Sequence, residues 1–387
     1  MRSLESLLGR ARLPLAMIPS LHISGFKLFK DLTIRELGQL NLFIGANNTG
    51  KSCLLEAIGL YAGRNPITDV LQAAGVRAQE VLQPWEADGW NELGTSLRHP
   101  VFDLFHRDGV TSSSEISPSI LIERLGDPNP LVVKYQWHDT VTDEDGMRRY
   151  VPVFPGHVTV DHLEFALPVF RGDKQVALIT RRHLPLRNRI LESERLPSDD
   201  AVVVAHLPAC GFTDEKAASL WDALIQGPGQ DRVLAWLRML DPRIEDLDYI
   251  AGRLRSRIAL LKVEGEGRIP LHSMGDGLRR LFHIGLAMAS ASRGILLVDE
   301  FETGLYWEVQ VELWKAIFEA SEKFGVQVFA TTHSNDCIRA FVEAQRERLI
   351  PRASYVYRLE RKGEDIHAHE FSQQGLEAAI RQGIEVR

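Results

Sequence analysis

A mixed α/β fold is predicted by three apolar runs, each ending in polar residues suited to phosphate chemistry. Leu40 to Ile44 is apolar apart from Asn41 and leads into Gly45-Ala46-Asn47-Asn48-Thr49-Gly50-Lys51-Ser52. Ile295-Leu296-Leu297-Val298 delivers Asp299 and Glu300, and Val326 to Thr332 delivers His333. Short runs that are apolar throughout, rather than alternating, suit strands buried on both faces of a parallel sheet.

The first run fills every fixed position of the pattern G-x-x-x-x-G-K-[ST], and Leu54, Leu55 and Ile58 beyond it recur at helical spacing. The loop therefore joins a strand to a helix N-terminus. There, backbone N–H groups of Gly45, Asn47, Asn48, Thr49 and Gly50 can approach phosphates, Lys51 can reach the β/γ oxygens, and the Ser52 hydroxyl is available to Mg²⁺. Cys53, a small residue at the start of the helix, completes the expected nucleotide-binding set. The expected ligand is a nucleoside triphosphate.

The second run turns binding into hydrolysis. Asp299 is placed to hold the metal through its water shell, and Glu300 to polarise the attacking water as general base. Shortly before it stands Ser273-Met274-Gly275-Asp276-Gly277, followed by Leu278, Leu281, Phe282, Gly285 and Leu286 at helical spacing. Ser273 reads as a helix cap. A Gly-rich helix start presents free N–H groups and a positive dipole end that can grip a γ-phosphate. Glu302-Thr303-Gly304-Leu305 follows the acidic strand, and Ala330-Thr331-Thr332-His333-Ser334 closes the third run.

This order of parts resembles the ABC-type ATPases, and within them the SMC/RecF/OLD-like branch of AAA ATPases. The resemblance includes the opening Ile23-Ser24-Gly25-Phe26-Lys27-Leu28-Phe29-Lys30-Asp31-Leu32 and covers both ends of the chain but little of the middle. It implies a P-loop NTPase head with a mixed sheet, an antiparallel β lobe and a helical signature subdomain, working with ATP and Mg²⁺. It also implies two heads that close face to face. Ser273 and Gly275 of one head then act in trans, with Gly277 also counted among the nucleotide-binding residues, while Lys51, Asp299, Glu300 and His333 act in cis, His333 sensing the γ-phosphate. Phe301 stands where Pro is more usual, and Tyr306 where a His commonly follows Gly-Leu. Some OLD-like relatives carry a Toprim nuclease after the switch His; here Arg387 ends the chain 54 residues after His333. The resemblance therefore points to a homodimer or higher oligomer serving a separate effector protein, a nuclease among the options. DNA or RNA is a further partner, and defence against phage the setting.

The rest of the chain organises around these motifs. Residues 1–18 read as an N-terminal extension, 19–110 as the first part of the head, 111–200 as a β-rich lobe, 201–270 as a helical subdomain and 271–387 as the second part of the head. Strands are expected at Ser119–Ile122, Leu131–Trp137, Tyr150–Val160, His162–Val169 and Gln175–Thr180, separated by turn-rich segments. Leu220, Trp221, Leu224 and Ile225, then Val233, Leu234, Leu237 and Leu240, mark helices that Pro242 closes. Tyr355–Leu359 and Ile366–Phe371 read as a closing hairpin before a short helix at Leu376–Ile380.

Charge and composition narrow the function classes. With 45 basic and 52 acidic residues in 387, the net charge of −7 gives no global electrostatic case for nucleic acid. Local clusters remain: Arg148 and Arg149; Arg181, Arg182, His183, Arg187 and Arg189; Arg253, Arg255 and Arg257. They suit either a phosphate track or a solvated face paired with acids such as Glu192 and Glu194. Arg279 and Arg280, beside the signature, are assigned to a dimer interface. Cys53, Cys210 and Cys337 show no metal spacing and cannot all pair, which favours a cytoplasmic location. His99, His106, His162 and His183 likewise lack ligand spacing. No apolar run reaches membrane-span length. A transporter nucleotide-binding subunit and a small-molecule P-loop kinase are the alternatives, disfavoured respectively by the long middle segment and by the presence of a signature and switch His.

Overall fold

The computed structural model describes residues 17–63, 65–74, 103–106, 118–142, 148–153, 163–180, 202–225, 228–252, 257–347, 354–382 and 386. The chain opens with β1 (Leu21–Phe26), β2 (Phe29–Ile34), β3 (Leu40–Ile44), α1 (Lys51–Ala62) and α2 (Pro66–Ala73). Then come β4 (Ser119–Glu123), β5 (Leu131–Lys134), β6 (Gln136–Thr142), β7 (Arg148–Val153), β8 (Leu163–Arg171) and β9 (Lys174–Thr180). The next stretch holds β10 (Val204–Leu207), α3 (Asp214–Ala223), α4 (Gly229–Leu240), β11 (Ile244–Ala251), β12 (Arg257–Val263) and β13 (Gly267–Pro270). The last part supplies α5 (Asp276–Ser290), β14 (Ile295–Val298), α6 (Trp307–Phe324), β15 (Gln327–Thr332), α7 (Asn335–Glu347), β16 (Ser354–Lys362), β17 (Asp365–Phe371) and α8 (Gln373–Arg381).

The three apolar runs lie side by side in a central sheet ordered β10-β14-β15-β3-β16-β17, in which only the final pair is antiparallel. Alternation along each strand divides the core into two layers. Leu40, Leu42 and Ile44 share one face with Leu296, Val298, Val328 and Ala330, covered by α3 to α7. Phe43, Leu297, Phe329 and Tyr357 take the other face, against α1, α2 and the antiparallel sheet. On that side Phe329, Phe43 and Tyr357 stack across neighbouring strands with centroids 6.5 and 5.8 Å apart.

Two buried amides sit within this sheet with partners for their polar atoms, as burial demands. Asn41 donates to Gly38 O (2.8 Å) and Val328 O (3.2 Å), and accepts from Gly38 N (2.8 Å). Gln327 donates to Ile18 O (2.9 Å) and Gly38 O (2.7 Å) and accepts from Ile18 N (2.8 Å). Ile18, assigned from sequence to the N-terminal extension, is thereby buried in the folded head.

The second sheet is antiparallel, ordered β2-β1-β4-β5-β8-β6-β7 with β9 also on β8. The expected single strand Leu131–Trp137 is interrupted at Tyr135, whose N–H turns to Pro118 O (2.9 Å), and so divides into β5 and β6, which pair in one register along the same flank of β8 while β9 takes the other. Of the expected strands Tyr150–Val160 and His162–Val169, residues 154–162 fall outside the described residues. In the 201–270 stretch α3 and α4 are the expected helices, but β10 joins the edge of the central sheet and β11-β12-β13 form a separate antiparallel sheet. Those strands were hidden from the helical reading because their outer positions carry charged pairs such as Lys262–Glu245 and Arg268–Asp248 rather than clean alternation. Among the described residues no helix is long and apolar enough to cross a membrane.

Phe301, the departure from the expected Pro, has a packing explanation. Its fully buried ring stacks on Trp314 (centroids 3.9 Å), which in turn meets the edge of Phe341 (4.9 Å). Phe301→Ala should therefore destabilise the head by about 3–5 kcal/mol, the range for truncating a fully buried aromatic side chain. Denaturant unfolding measures this, and a loss under about 1 kcal/mol, the scale of an ordinary substitution, would contradict the packing role.

Candidate active site

The parallel strands β14, β15 and β3 deliver three polar segments to one edge of the central sheet. The loop after β3 needs unusual backbone: Gly45 and Gly50 have φ of 149° and 88°, and Asn48 has φ 62°. A Cβ at Gly45 would stand 2.6 Å from Leu359 O, so the loop must begin with glycine to lie this close to β16. Helix α1 has no side-chain cap, and its first internal bond runs from Leu54 N–H to Gly50 O (2.8 Å). The N–H groups of Lys51, Ser52 and Cys53 thus precede the helical ladder and open into the loop. The Cys53 thiol itself packs into the apolar layer, where burial pushes it up to about 11.

Lys51 folds back over the loop, donating to Gly45 O and Ala46 O (both 2.8 Å). Burial draws its ammonium below the ordinary lysine range, opposed by the carboxylates of Asp299, Glu300 and Glu302. Thr49 closes the turn through Ala46 O (2.9 Å).

The most telling contact joins residues 247 positions apart: the Ser52 hydroxyl donates to Asp299 Oδ2 at 2.8 Å. Thr331, at the end of β15, holds the other side. Its hydroxyl donates to Asp299 Oδ1 (2.6 Å) and accepts from Glu300 N–H (2.9 Å), while its carbonyl accepts from Phe301 N–H (2.9 Å). Glu300 adopts φ 45°, a left-handed conformation that costs energy for a side-chain-bearing residue. One hydroxyl thus orients both acids.

Sequence reasoning assigned Arg280 to an interface, and the structure corrects this. Arg280 is buried on α5 and donates to the carbonyls of Asp299 (2.6 Å), Glu300 (2.8 Å), Pro208 (2.9 Å) and Ala209 (3.3 Å). Burial pushes its guanidinium down to about 10, against the pull of Glu302, Asp299 and Glu300, so it stays charged at neutral pH. A four-residue step along α5 from Arg280 to Ile284, fully buried, was the available signal that position 280 faces inward. Arg279 is the exposed member of the pair, 3.7 Å from Asp276.

Glu302 also escaped the sequence reading as a site residue. Its Oε1 accepts from His333 N–H (3.0 Å) and lies 3.1 Å from His333 Nδ1, fixing the switch His against the acidic turn.

Ser273 is not a helix cap. It lies exposed in a 3₁₀ turn, Leu271–Met274, and α5 begins one residue after Gly275, whose φ 93° and ψ 160° suit glycine. Gly277 packs toward Gly304, whose carbonyl would be 3.0 Å from an added Cβ. Among the described residues, Ser273, Gly275 and Gly277 form no hydrogen bond with the phosphate loop. Lys51, Ser52, Asp299 and Glu300 therefore meet, and His333 is joined to the same acidic turn through Glu302, whereas Ser273 and Gly275 are exposed.

Arg181, Arg182, His183, Arg187, Arg189, Arg253 and Arg255 lie outside the described residues, as do His99 and His162. Arg257 pairs with Asp222 (contacts include Nη2 to Oδ1 at 3.1 Å), and His106 Nδ1 sits 2.9 Å from Lys27 O. Neither faces the loop. Among the described residues no cluster of three or more His, Cys, Asp or Glu could hold a metal. The donors that meet, one hydroxyl and one carboxylate, fit a hard cation that keeps most of its shell as water and phosphate oxygen, as Mg²⁺ does.

Residues 17–83 and 229–338 match the AAA ATPase domain family. An ATP/GTP phosphatase of Helicobacter pylori is 24% identical over 345 residues, which is 86% of this chain and 89% of that protein. An uncharacterised protein of Methanocaldococcus jannaschii is 42% identical over 45 residues, 12% of this chain and 20% of that one. Among solved structures, an SMC head bound to the C-winged helix domain of ScpA has a TM-score of 0.48 at 14% identity, covering 94% of this chain and 99% of that one. An SMC head from Pyrococcus furiosus with an extended coiled coil, bound to the C-terminal domain of ScpA, has a TM-score of 0.46 at 12% identity, covering 94% and 98%.

Thr331→Val keeps the side-chain shape and removes the hydroxyl that orients Asp299 and Glu300. Hydrolysis should fall about 10–100-fold, as for groups that position a metal ligand, and the Mg²⁺ concentration for half-maximal rate should rise. Unchanged Mg²⁺ dependence would show that Thr331 only supports the fold.

Proposed function

We infer a working cycle on the reading that this chain is an AAA-type ATPase that hydrolyses ATP, which the match to the AAA ATPase domain family and the similarity to an ATP/GTP phosphatase support. The observation carrying the cycle is the contact of Ser52 with Asp299, which joins the phosphate loop to the acidic turn. On binding, Lys51 leaves the carbonyls of Gly45 and Ala46 for the β/γ-phosphate oxygens, and the free N–H groups at the start of α1 take the remaining charge. Ser52 and Asp299 would hold Mg²⁺, which would supply charge neutralisation on the phosphates. Glu300 orients and deprotonates the attacking water. His333, fixed by Glu302, contacts the γ-phosphate and reports its loss.

We propose that a second head completes the site over the γ-phosphate, through the exposed Ser273-Met274-Gly275 turn and the uncapped start of α5. ATP thus closes a dimer and hydrolysis opens it. A separate effector reads the closed state. By the motif resemblance this effector is a nuclease or another nucleic-acid-directed protein, in defence against phage.

Glu300→Gln should retain ATP affinity and lose turnover by about 10²–10⁴-fold, the usual contribution of a general base, while Lys51→Ala should weaken binding itself. Nucleotide titration and phosphate release distinguish the two; GTP belongs in the same assay, since the Helicobacter relative is named for both nucleotides. Full turnover in the Gln variant would remove Glu300 from its role. For the dimer, Lys51→Ala heads mixed with Ser273→Arg heads should recover part of the activity through one intact composite site. Absence of recovery in demonstrated mixed dimers would count against sharing.

A further inference from the structure

Beside the phosphate loop, on the side away from the acids, lies a concavity of about 300 Å³ lined by Ala46, Asn47, Asn48 and Thr49 on one wall and by Arg358 to Arg361 of β16 on the other. Its volume sits at the small end of the roughly 300–1,000 Å³ typical of small-molecule sites, the size for part of a ligand rather than a whole one.

Its placement follows from the sheet. Strand β3 has β15 on one flank and β16 on the other, and β14, with Asp299 and Glu300 after it, lies beyond β15. The hydrolysed end of a triphosphate points toward Glu300, so the opposite end of this linear chain leaves the loop on the β16 side. Arg358 is in register with Ile44, the last residue before Gly45. The close approach of Gly45 to Leu359 O locks the two walls together. The concavity is therefore built into the fold.

Its cations are not equivalent. Arg361 is tied to the following turn through Gly363 O (3.1 Å). Glu360 is engaged by Lys362 and His369, each at 3.4 Å. Among the described residues the half-buried Arg358 side chain makes no hydrogen bond or close ion pair, and, beyond the hydrogen bond from Lys362, its charge helps at longer range to hold the Glu360 carboxyl low. A guanidinium whose planar face and donors have no hydrogen-bonded partner suits a purine ring, by stacking, or the acceptor atoms at its edge.

We infer that this concavity holds the nucleoside half of the bound nucleotide, with Arg358 as its anchoring cation. The inference rests on the ATPase reading above and adds a binding role for β16, a strand carrying none of the recognised phosphate motifs.

Binding of ATP, ADP and inorganic tripolyphosphate to wild type, Arg358→Ala and Arg358→Lys, by calorimetry and by displacement of ATP, tests it. In Arg358→Ala, ATP and ADP should each weaken by roughly tenfold, the scale of a partly desolvated cation–π contact, with tripolyphosphate unchanged. Arg358→Lys should recover only part of the loss, because it restores the charge but not the planar fork. At saturating ATP the turnover number should hold while KM rises, the mark of uniform binding. Unchanged ATP affinity would overturn the inference. So would an equal weakening of tripolyphosphate, which would place Arg358 on the phosphates. Failure of the underlying reading has its own signature: tripolyphosphate and ATP would then bind without regard to Lys51→Ala, whatever Arg358 does.

Discussion

The active edge depends on one constraint, the in-register parallel alignment of β14, β15 and β3. Val298 pairs with Ala330 and Ala330 with Leu42, so the three chains leave the sheet within two residues of the same level. The phosphate loop, the acidic turn and the switch segment can meet only because of this alignment. A slip of one residue in any strand would turn its apolar set to the opposite layer. The buried amides of Asn41 and Gln327 add specificity, because only one register satisfies all their donors and acceptors. Their position explains why polar residues interrupt otherwise apolar runs.

Register brings the acids to the edge, and a smaller set of groups fixes their aim. Glu300 sits in a conformation that an isolated peptide would avoid, and it is over-determined there by Thr331 and Arg280. Arg280 is an unusual anchor: a buried cation whose hydrogen bonds go to four carbonyls rather than to a carboxylate. Burying an ion is costly unless its donors are used, and most of these are. Because the same side chain grips residues 208–209 and 299–300, the edge strand β10 and the acidic turn are held as one piece with α5. Movement of α5, whose N-terminus carries the signature turn, therefore has a direct mechanical route to the acids.

What the sequence disclosed follows from how local the physics is. The phosphate loop, the acidic pair and the buried strands are each written in a few consecutive residues, and they lie where spacing placed them. Contacts set by tertiary packing were less legible. Arg280 beside Arg279 looks like any surface pair until the facing of α5 is known. Ser273 has the composition of a cap, yet the 3₁₀ turn moves the helix start past it. The last hairpin was evident from its alternation, but its parallel pairing with β3, which brings Arg358 beside the loop, depends on sheet order that no local pattern encodes. Strands β11 to β13 were obscured because cross-strand charge pairs, not an apolar face, occupy their exposed side.

The ionic composition of the folded site has a thermodynamic consequence. Three carboxylates, Asp299, Glu300 and Glu302, surround two cations, Lys51 and Arg280, and Arg280 is committed to the backbone. On this side of the phosphate loop the carboxylates outnumber the cations, while Arg358 and Arg361 stand on its far wall. A polyanion therefore meets a divided field, and the oriented amide dipoles at the start of α1 act at short range, once the ligand is seated. The acid side thus contributes discrimination by fit at contact rather than capture from a distance.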